Sequence, residues 1–238
     1  MARSVPAAAG RPQPSGTASL TDRAYRAIRD RIVSLELSPG AVIDERALIE
    51  ALGIGRTPIR EALRRLAQEK LVEVYPRRGM FVTAVDVRDL ARLSEVRAVL
   101  ESTAARLAAQ RASEPERAEL GLLLDELRAP APRSGRLLVA CDERIHRAIY
   151  RAAHNRFLEA TLEEYFVLAL RIWYLALDQA LELEEAVLEH RALLEAIRDG
   201  EGERAAALMS DHVHDFARSM RRVLTAFEER PSGSQPTV

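Results

Sequence analysis

A fixed order of helical segments, stop signals and β-like runs constrains the N-terminal part of this chain more than any other feature. From Ser19 onward, apolar residues recur at spacings of three and four, which is typical of one buried helix face. Ser38-Pro39-Gly40 ends this pattern, because proline and glycine both break helices. Asp44 can then cap a short second helix, which ends at Gly53 because glycine adopts positive φ without a steric penalty. The segment therefore predicts two helices separated by a turn.

A third helix follows directly and extends to Lys70. Two starts are compatible with the sequence: Gly55 can cap the helix, or Thr57 can cap it with Pro58 at the first helical position. Its apolar residues fall on one face, which predicts that this face packs against the preceding helices. That inner face carries Ile59, Ala62, Leu63 and Leu66.

Two β-like runs, Leu71–Tyr75 and Met80–Val85, come after the third helix. They are joined by Pro76-Arg77-Arg78-Gly79, so the pattern predicts a hairpin with two arginines at its tip. Two helices, a tight turn, a third helix and a hairpin in this order predict a winged helix-turn-helix domain. In that fold the helix after the turn is the one that enters the major groove of DNA.

The third helix and the hairpin carry the side chains suited to DNA. Arg56 and Arg60 are four residues apart and share a face, and an arginine fork can bond two acceptors on guanine. Thr57 can reach a phosphate or a base edge, and Arg46 on the second helix a phosphate. The predicted DNA contacts are Arg46, Arg56, Thr57, Arg60, Arg77, Arg78 and Gly79. The alternative for each arginine is that it only solvates a polar helix face.

Beyond the hairpin the pattern is only helical, and aromatic residues make up 5% of a chain rich in Ala, Leu, Glu and Arg. We predict a mainly α fold, in which a winged helix-turn-helix with a small β-hairpin wing precedes an all-α antiparallel helical bundle. The predicted helices are Asp86–Gln110, Pro115–Arg128, Arg136–Ala153, Asn155–Ala180, Glu184–Asp199 and Glu201–Glu229. The predicted boundaries are 1–18 for a disordered tail, 19–85 for the winged domain, 86–229 for the helical domain and 230–238 for a second disordered tail.

Charge and cysteine content exclude several protein classes. The net charge is −1, but residues up to Ala84 carry about +5 and the remainder about −6. A basic DNA-reading domain therefore precedes an acidic helical domain. No apolar run reaches about 18 residues, which excludes a membrane span. Cys141 is the only cysteine, which excludes an intramolecular disulfide framework and fits a reducing cytoplasm.

Three histidines and one aspartate in the helical half fall on inward faces. Asp142 and His146 are one turn apart on a predicted helix, while His190 and His212 line up with apolar residues on two later helices. Burying these groups is costly unless something satisfies them, and imidazole and carboxylate groups suit one divalent ion such as Zn, Ni, Mn or Fe. The alternative is that each histidine is a hydrogen-bonded core residue.

The N-terminal motifs resemble a known family. Asp44-Glu45-Arg46-Ala47-Leu48, the run from Gly55 to Leu66 and Pro76-Arg77-Arg78-Gly79-Met80-Phe81-Val82 are similar to the winged-helix domain of GntR-family transcriptional regulators. The similarity covers roughly Leu20 to Val85 and implies double-stranded DNA contacts from Arg46, Arg56, Thr57, Arg60 and the wing residues Arg78 and Gly79. Gly55 stands where the family often has Ser or Thr, and Arg77 stands where many members have Asn.

The helical half resembles the FCD effector domain of the FadR subfamily. The similarity is carried by Glu95–Glu101, Asp142–His146, Ala153–Asn155, Glu189–Ile197 and Asp211–Val213. It implies a metal held by Asp142, His146, His190 and His212, and a small carboxylate effector contacted by Arg97 and Asn155. It also implies a homodimer that binds a palindromic operator.

These observations favour a ligand-responsive, sequence-specific DNA-binding repressor with one divalent metal per subunit, located in the cytoplasm. One alternative is a constitutive DNA-binding regulator in which the metal is purely structural. A metal-dependent hydrolase with Glu143 as its base is the other alternative, but that function leaves the basic winged helix unexplained.

Overall fold

The computed structural model describes residues 19–86, 88–128, 134–175, 177 and 180–228. Both predicted tails, and most of the loop predicted at 130–135, lie outside these ranges. The described part is mainly helical, with one two-stranded antiparallel sheet. Its elements are α1 (Leu20–Val33), α2 (Glu45–Leu52), α3 (Arg56–Gln68), β1 (Val72–Tyr75), β2 (Gly79–Val82), α4 (Asp89–Arg111), α5 (Glu114–Arg128), α6 (Gly135–Ala152), α7 (Arg156–Leu175), α8 (Ala180–Arg198) and α9 (Gly202–Glu228).

Elements α1 to β2 form a small unit that we call the head (residues 20–82). Helices α1 and α3 pack against each other across fully buried Ile28, Ile32, Ile59 and Leu63. Side chains cap the first two helices: the Ser19 hydroxyl accepts from the backbone N–H of Asp22, and Asp44 caps the start of α2. The predicted winged helix-turn-helix arrangement, and with it the mainly α fold class, is confirmed.

The turn between α2 and α3 depends on two glycines. Gly53 ends α2 in the left-handed region at φ +62°, where a side chain would be strained. Gly55 is the N-cap of α3, which settles the open question about where this helix begins. Gly55 offers no side-chain cap, and Pro58 lies in the first turn of the helix.

The hairpin pairs Val72 with Val82 and Tyr75 with Gly79. Its second strand ends at Val82, three residues before the predicted end, because the chain then leaves the sheet towards α4. The backbone N–H of Thr83 still donates to Leu71, and Val42 adds an isolated bridge to Phe81.

Helices α4 to α9 form a second unit that we call the body (residues 89–228). Helix α4 is central and packs against α6, α7, α8 and α9. Small side chains on α4 let α9 lie close along it, because the separation of two helices depends on the side chains between them. These buried residues are Ala98, Ala104, Ala105, Ala108 and Ala109.

The predicted body helices are each found, with ends that differ by at most five residues and, at Arg128, not at all. The largest difference is at α7, which begins after Asn155 because that residue caps it, and ends at Leu175 instead of Ala180. None of the helices within the described ranges has the length and apolarity that a membrane span requires.

Among the described residues, an ion pair links the head to α7, and a hydrogen bond links the chain just after the head to the same helix. Arg29 of α1 forms an ion pair with Glu163 of α7, at 3.1 Å. Arg171 of α7 donates a hydrogen bond to the backbone carbonyl of Thr83, just beyond β2. Helix α7 of the body therefore contacts both α1 and the chain that follows β2.

Candidate functional site

Asp142 and the three predicted histidine ligands come together inside the body. Asp142 and His146 lie one turn apart on α6, His190 on α8 and His212 on α9. All four side chains are buried, and His212 is the most exposed at 5%. One ligand atom from each of the four lies within 4.8 Å of the others. The structure thus joins all four residues that the sequence analysis selected.

The distances between the ligand atoms suit a shared ion. Nε2 of His146 lies 3.2 Å from Nε2 of His190 and 3.3 Å from Nε2 of His212. Oδ1 of Asp142 lies 3.6 Å from His146 and 3.7 Å from His190. Two ligands of one zinc ion at about 2.1 Å each are about 3.0 to 3.4 Å apart for angles between 90° and tetrahedral.

The opposite ring nitrogens determine which tautomer each histidine adopts. Nδ1 of His190 lies 3.2 Å from the carbonyl oxygen of Val187, and Nδ1 of His212 lies 2.9 Å from Oε2 of Glu189. A carbonyl or carboxylate oxygen only accepts, so the hydrogen of each neutral ring sits on Nδ1. The Nε2 lone pairs then point into the cluster, which is the arrangement that metal-binding histidines adopt.

Asp142 gives independent evidence for a cation. Both of its carboxylate oxygens are buried and accept no hydrogen bond from any residue that the structure describes. A buried carboxylate without donors is strongly disfavoured, and a divalent ion at the centre of the cluster would satisfy it together with the three lone pairs. The donor set, one carboxylate and three imidazoles, fits Zn, Ni, Mn or Fe.

Burial and the neighbouring charges shift the pKa values of the three histidine rings. Burial opposes the charged form of His146, but Asp142 and Glu101 outweigh this effect and raise the pKa of its ring to about 9. Burial, followed by repulsion from His146, lowers the pKa of His212 to about 4. Burial and the charge of His212 also lower the pKa of His190 well below its usual range. The rings of His190 and His212 are therefore neutral at pH 7, and a metal that binds the cluster would displace the remaining proton from His146.

Glu101 is a functional residue that the sequence analysis missed. Its Oε2 lies 2.7 Å from Nδ1 of His146, and its Oε1 accepts a hydrogen bond of 2.6 Å from Nε of Arg97. Arg97 and Glu101 sit four residues apart on the otherwise small and apolar inner face of α4. Two charged residues on such a face are the feature of the sequence from which a role for Glu101 could have been predicted.

The two predicted effector contacts lie in different environments. Arg97 is 2% exposed, and its Nη1 is buried without a hydrogen-bond partner in the described structure. The side-chain oxygen of Asn155 caps α7 by accepting from the backbone N–H groups of Phe157 and Leu158. Arg97 thus keeps a free donor beside the cluster, while the side-chain oxygen of Asn155 is engaged in capping.

Glu143 and Trp173 also have partners within the described structure. Glu143, the base of the alternative hydrolase, pairs with Arg147 and lines a surface cleft beside α1. Trp173 is 1% exposed and stacks on Phe216 with ring centroids 4.7 Å apart, so it belongs to the core.

All predicted DNA contacts are exposed on the head. Arg60 pairs with Glu45 of α2 at 2.9 Å. No carboxylate in the described structure forms an ion pair with the other four arginines, so their charges are available to a polyanion. The exposed set is Arg46, Arg56, Thr57, Arg60, Arg77, Arg78 and Gly79.

Comparison with protein-family models gives two matches. Residues 20–82 match the model described as "Bacterial regulatory proteins, gntR family". Residues 92–215, more than half of the chain, match the FCD domain model. The two matches correspond to the head and to most of the body.

Curated relatives and a solved structure agree with these matches. The chain is 31% identical over 190 residues to the HTH-type transcriptional regulator McbR of Escherichia coli K12, covering 77% of this chain and 86% of McbR. It is 24% identical to the HTH-type transcriptional repressor RspR of the same strain, covering 87% of this chain and 91% of RspR. The solved structure of E. coli McbR/YncC has the same fold, with a TM-score of 0.76, 23% identity and coverage of 87% of this chain and 100% of that one.

Proposed function

This chain belongs to the GntR family of bacterial regulatory proteins and carries an FCD domain, and from this we propose that it is a ligand-responsive transcriptional repressor of the FadR subfamily. Its relatives are named as HTH-type transcriptional regulators, which makes it a DNA-binding regulator and not an enzyme. We further propose a cytoplasmic homodimer in which each winged domain, residues 19–85, binds one half of a palindromic operator. The observation that carries the ligand response is the convergence of Asp142 with three histidines.

Sequence readout is assigned to the start of α3 and to the wing. Arg56 and Arg60 share the exposed face of α3, while Thr57 lies in the first turn. Arg77 and Arg78 stand at the tip of the hairpin and suit the minor groove or its phosphates. The pairing of Arg60 with Glu45 positions its guanidinium on the exposed face.

The metal is assigned to Asp142, His146, His190 and His212. A bound divalent ion would supply a Lewis acid for one oxygen of a carboxylate effector. Glu189 and the Val187 carbonyl hold two of the rings in the tautomer that the ion needs. Glu101 holds the third ring.

The effector contact is assigned first to Arg97. Its unpartnered Nη1 can donate to a carboxylate oxygen, and charge-assisted hydrogen bonds of this kind are strong. The amide nitrogen of Asn155 remains as the group that could reach an effector, and this second assignment rests on the family resemblance alone.

An ion-pair chain offers a physical route from the cluster to the DNA. Glu163 of α7 pairs with Arg29 of α1 at 3.1 Å and with Arg147 of α6 at 2.9 Å. Arg147 also pairs with Glu143, and both lie next to the ligands on α6. A shift of α6 on effector binding would therefore bias the setting of α1 in the head.

Operator binding in the presence of organic acids tests the proposal. We expect the metal-loaded protein to bind a selected operator with an affinity that at least one small carboxylic acid changes about fivefold or more. That response should be lost in Asp142→Ala. If no acid in a broad panel changes the affinity while metal removal unfolds the protein, the metal is structural and the regulator constitutive, an alternative that the near-complete burial of the cluster favours.

A further inference from the structure

A cavity separate from the Asp/His cluster lies where the head joins the body. It has a volume of about 370 Å³ and is formed by the chain that follows β2, one side of α4 and one side of α7. Its lining is mainly apolar, and it shares no residue with the Asp/His cluster. The apolar side chains that matter here are Val85, Leu90, Leu93, Val96, Leu168 and Ile172.

One buried cation lines this cavity. Arg171 is 2% exposed, and its guanidinium donates to the backbone carbonyl of Thr83. Its Nε is buried without a hydrogen-bond partner, and so is the hydroxyl of Thr83, which also lines the cavity. Two polar groups from the two sides of the same cavity are thus left without partners in the described structure.

No carboxylate of the described chain forms an ion pair with Arg171. The two acidic residues of the lining are already engaged: Asp86 pairs with Arg88 at 2.8 Å, and Asp89 pairs with Arg92 at 3.1 Å. Burial lowers the pKa of Arg171 to about 10, so its side chain still carries a full charge at pH 7. A buried charge without a counter-ion is costly, which indicates that a ligand supplies the missing anion.

We propose that this cavity is a binding site for a small monocarboxylic acid with an apolar body. The carboxylate would pair with Arg171 and accept a hydrogen bond from the Thr83 hydroxyl, and the apolar body would lie against Leu93, Leu168 and Ile172. The volume suits a molecule of about ten non-hydrogen atoms, since ligand pockets of this kind begin at about 300 Å³.

The position of the site gives such a ligand a contact with both units. Thr83 follows the wing directly, while Arg171 and Leu168 belong to the body. The proposal requires no metal and stands whether or not the Asp/His cluster holds one.

Calorimetric titration of the full chain tests the site. Phenylpropionate, octanoate and benzoate serve as probes, and 3-phenylpropanamide as the neutral control, while the cavity variants described below distinguish binding here from binding at the Asp/His cluster. We expect a dissociation constant of about 1 mM or lower for at least one acid, and binding about tenfold weaker or more for the amide. Absence of binding by all three acids would overturn the proposal.

Matched variants localise the binding. Arg171→Met removes the charged guanidinium but keeps an unbranched apolar stem, and should weaken binding about tenfold or more. Arg156→Met, an exposed arginine on the same helix, should bind as the native chain does. Leu168→Trp fills the cavity without touching the charge and should also abolish binding, which decides the matter if Arg171→Met fails to fold. Unchanged affinity in either cavity variant refutes the assignment.

Discussion

Oε2 of Glu101 lies 2.7 Å from Nδ1 of His146, on the side of the ring opposite the nitrogen that faces Asp142. This places a carboxylate from α4 behind a ligand from α6, and Arg97 in turn holds that carboxylate. The proposed metal centre therefore depends on a helix that contributes no ligand to it. Residues of this kind orient metal ligands and raise their basicity.

Glu101→Gln should weaken metal affinity by about 10- to 100-fold while leaving a folded protein, because the neutral amide oxygen is a weaker acceptor for the Nδ1–H of His146 than the carboxylate. Competition with a chromogenic chelator measures the affinity, and circular dichroism checks the fold. Glu143→Gln is the matched control, since Glu143 lies beside Asp142 in the sequence but pairs with Arg147. Equal affinities for both variants would show that Glu101 does not act on the metal.

Protein that is purified without exposure to a chelator should contain about one divalent ion per subunit. His190→Ala should lose that ion, because His190 provides one of the converging Nε2 atoms. His214→Ala should keep it, since His214 is exposed and its Nδ1 bonds the carbonyl of Ser210. Elemental analysis measures the metal content of the native chain and of both variants. Melting curves provide a second measurement, because a metal ion present at 100 times its Kd stabilises the native state by about 2.7 kcal/mol. A chain that neither contains nor takes up metal would contradict the site.

Arg56→Ala should reduce specific operator affinity by about 1–3 kcal/mol, the cost expected when a bidentate base contact is lost. Binding is measured by fluorescence anisotropy at one fixed salt concentration. Arg204→Ala provides the control, because Arg204 lies on α9 and pairs there with Glu201. If the two variants bind equally well, Arg56 does not read the operator.

Removal of both wing arginines, Arg77→Ala with Arg78→Ala, should flatten the salt dependence of DNA binding. Each phosphate contact contributes about 0.9 to the log–log slope, so the slope should fall by up to about two units. The measurement is a series of operator titrations across salt concentrations. An unaltered slope would place the wing away from the DNA.

Acid should remove the contribution of Glu116 to stability. Hydrogen bonds from the Ser113 hydroxyl and backbone, with help from His154, lower the pKa of Glu116 to about 2. Because the folded pKa is depressed, the stabilisation is complete above about pH 4.5 and is lost as the pH falls towards 2. Glu116→Gln should therefore unfold about 1 kcal/mol more easily at pH 7, with the difference shrinking in acid.

Denaturant titrations at several pH values provide this comparison. Glu114→Gln is the control, since Glu114 lies in the same first turn of α5 but is exposed. A difference between Glu116→Gln and the native chain that persists unchanged at pH 2 would show that ionisation is not its source.

The parts of the site that the sequence could predict are those set by periodicity. Asp142 and His146 fall one turn apart, and His190 and His212 fall on apolar faces, so their inward direction follows from helix geometry alone. Their convergence depends on how three separate helices pack. The sequence supplied suitable ligand types and a family resemblance, but it could not give the distances between the side chains.

The contacts that escaped prediction are tertiary. Glu101 contacts His146 only because α4 packs at the centre of the body, and no local sequence pattern predicts that packing. The cavity beside Arg171 likewise forms only where the chain after β2 meets α7, and on its own helix this arginine resembles any other. Helix ends differed for local reasons, as at Asn155, which lies outside α7 as its cap.

The uncapped start of α3 has a consequence for the free protein. With glycine as the N-cap at position 55, the first turn of α3 receives no side-chain hydrogen bond from its cap residue. Arg56 and Thr57, which carry the backbone N–H groups of that turn, are exposed residues. A phosphate oxygen is the natural acceptor for such donors, because the end of a helix where N–H groups point outward attracts anions. The operator would then complete the first turn of its own recognition helix, and amide exchange at these two positions should slow markedly once DNA is bound.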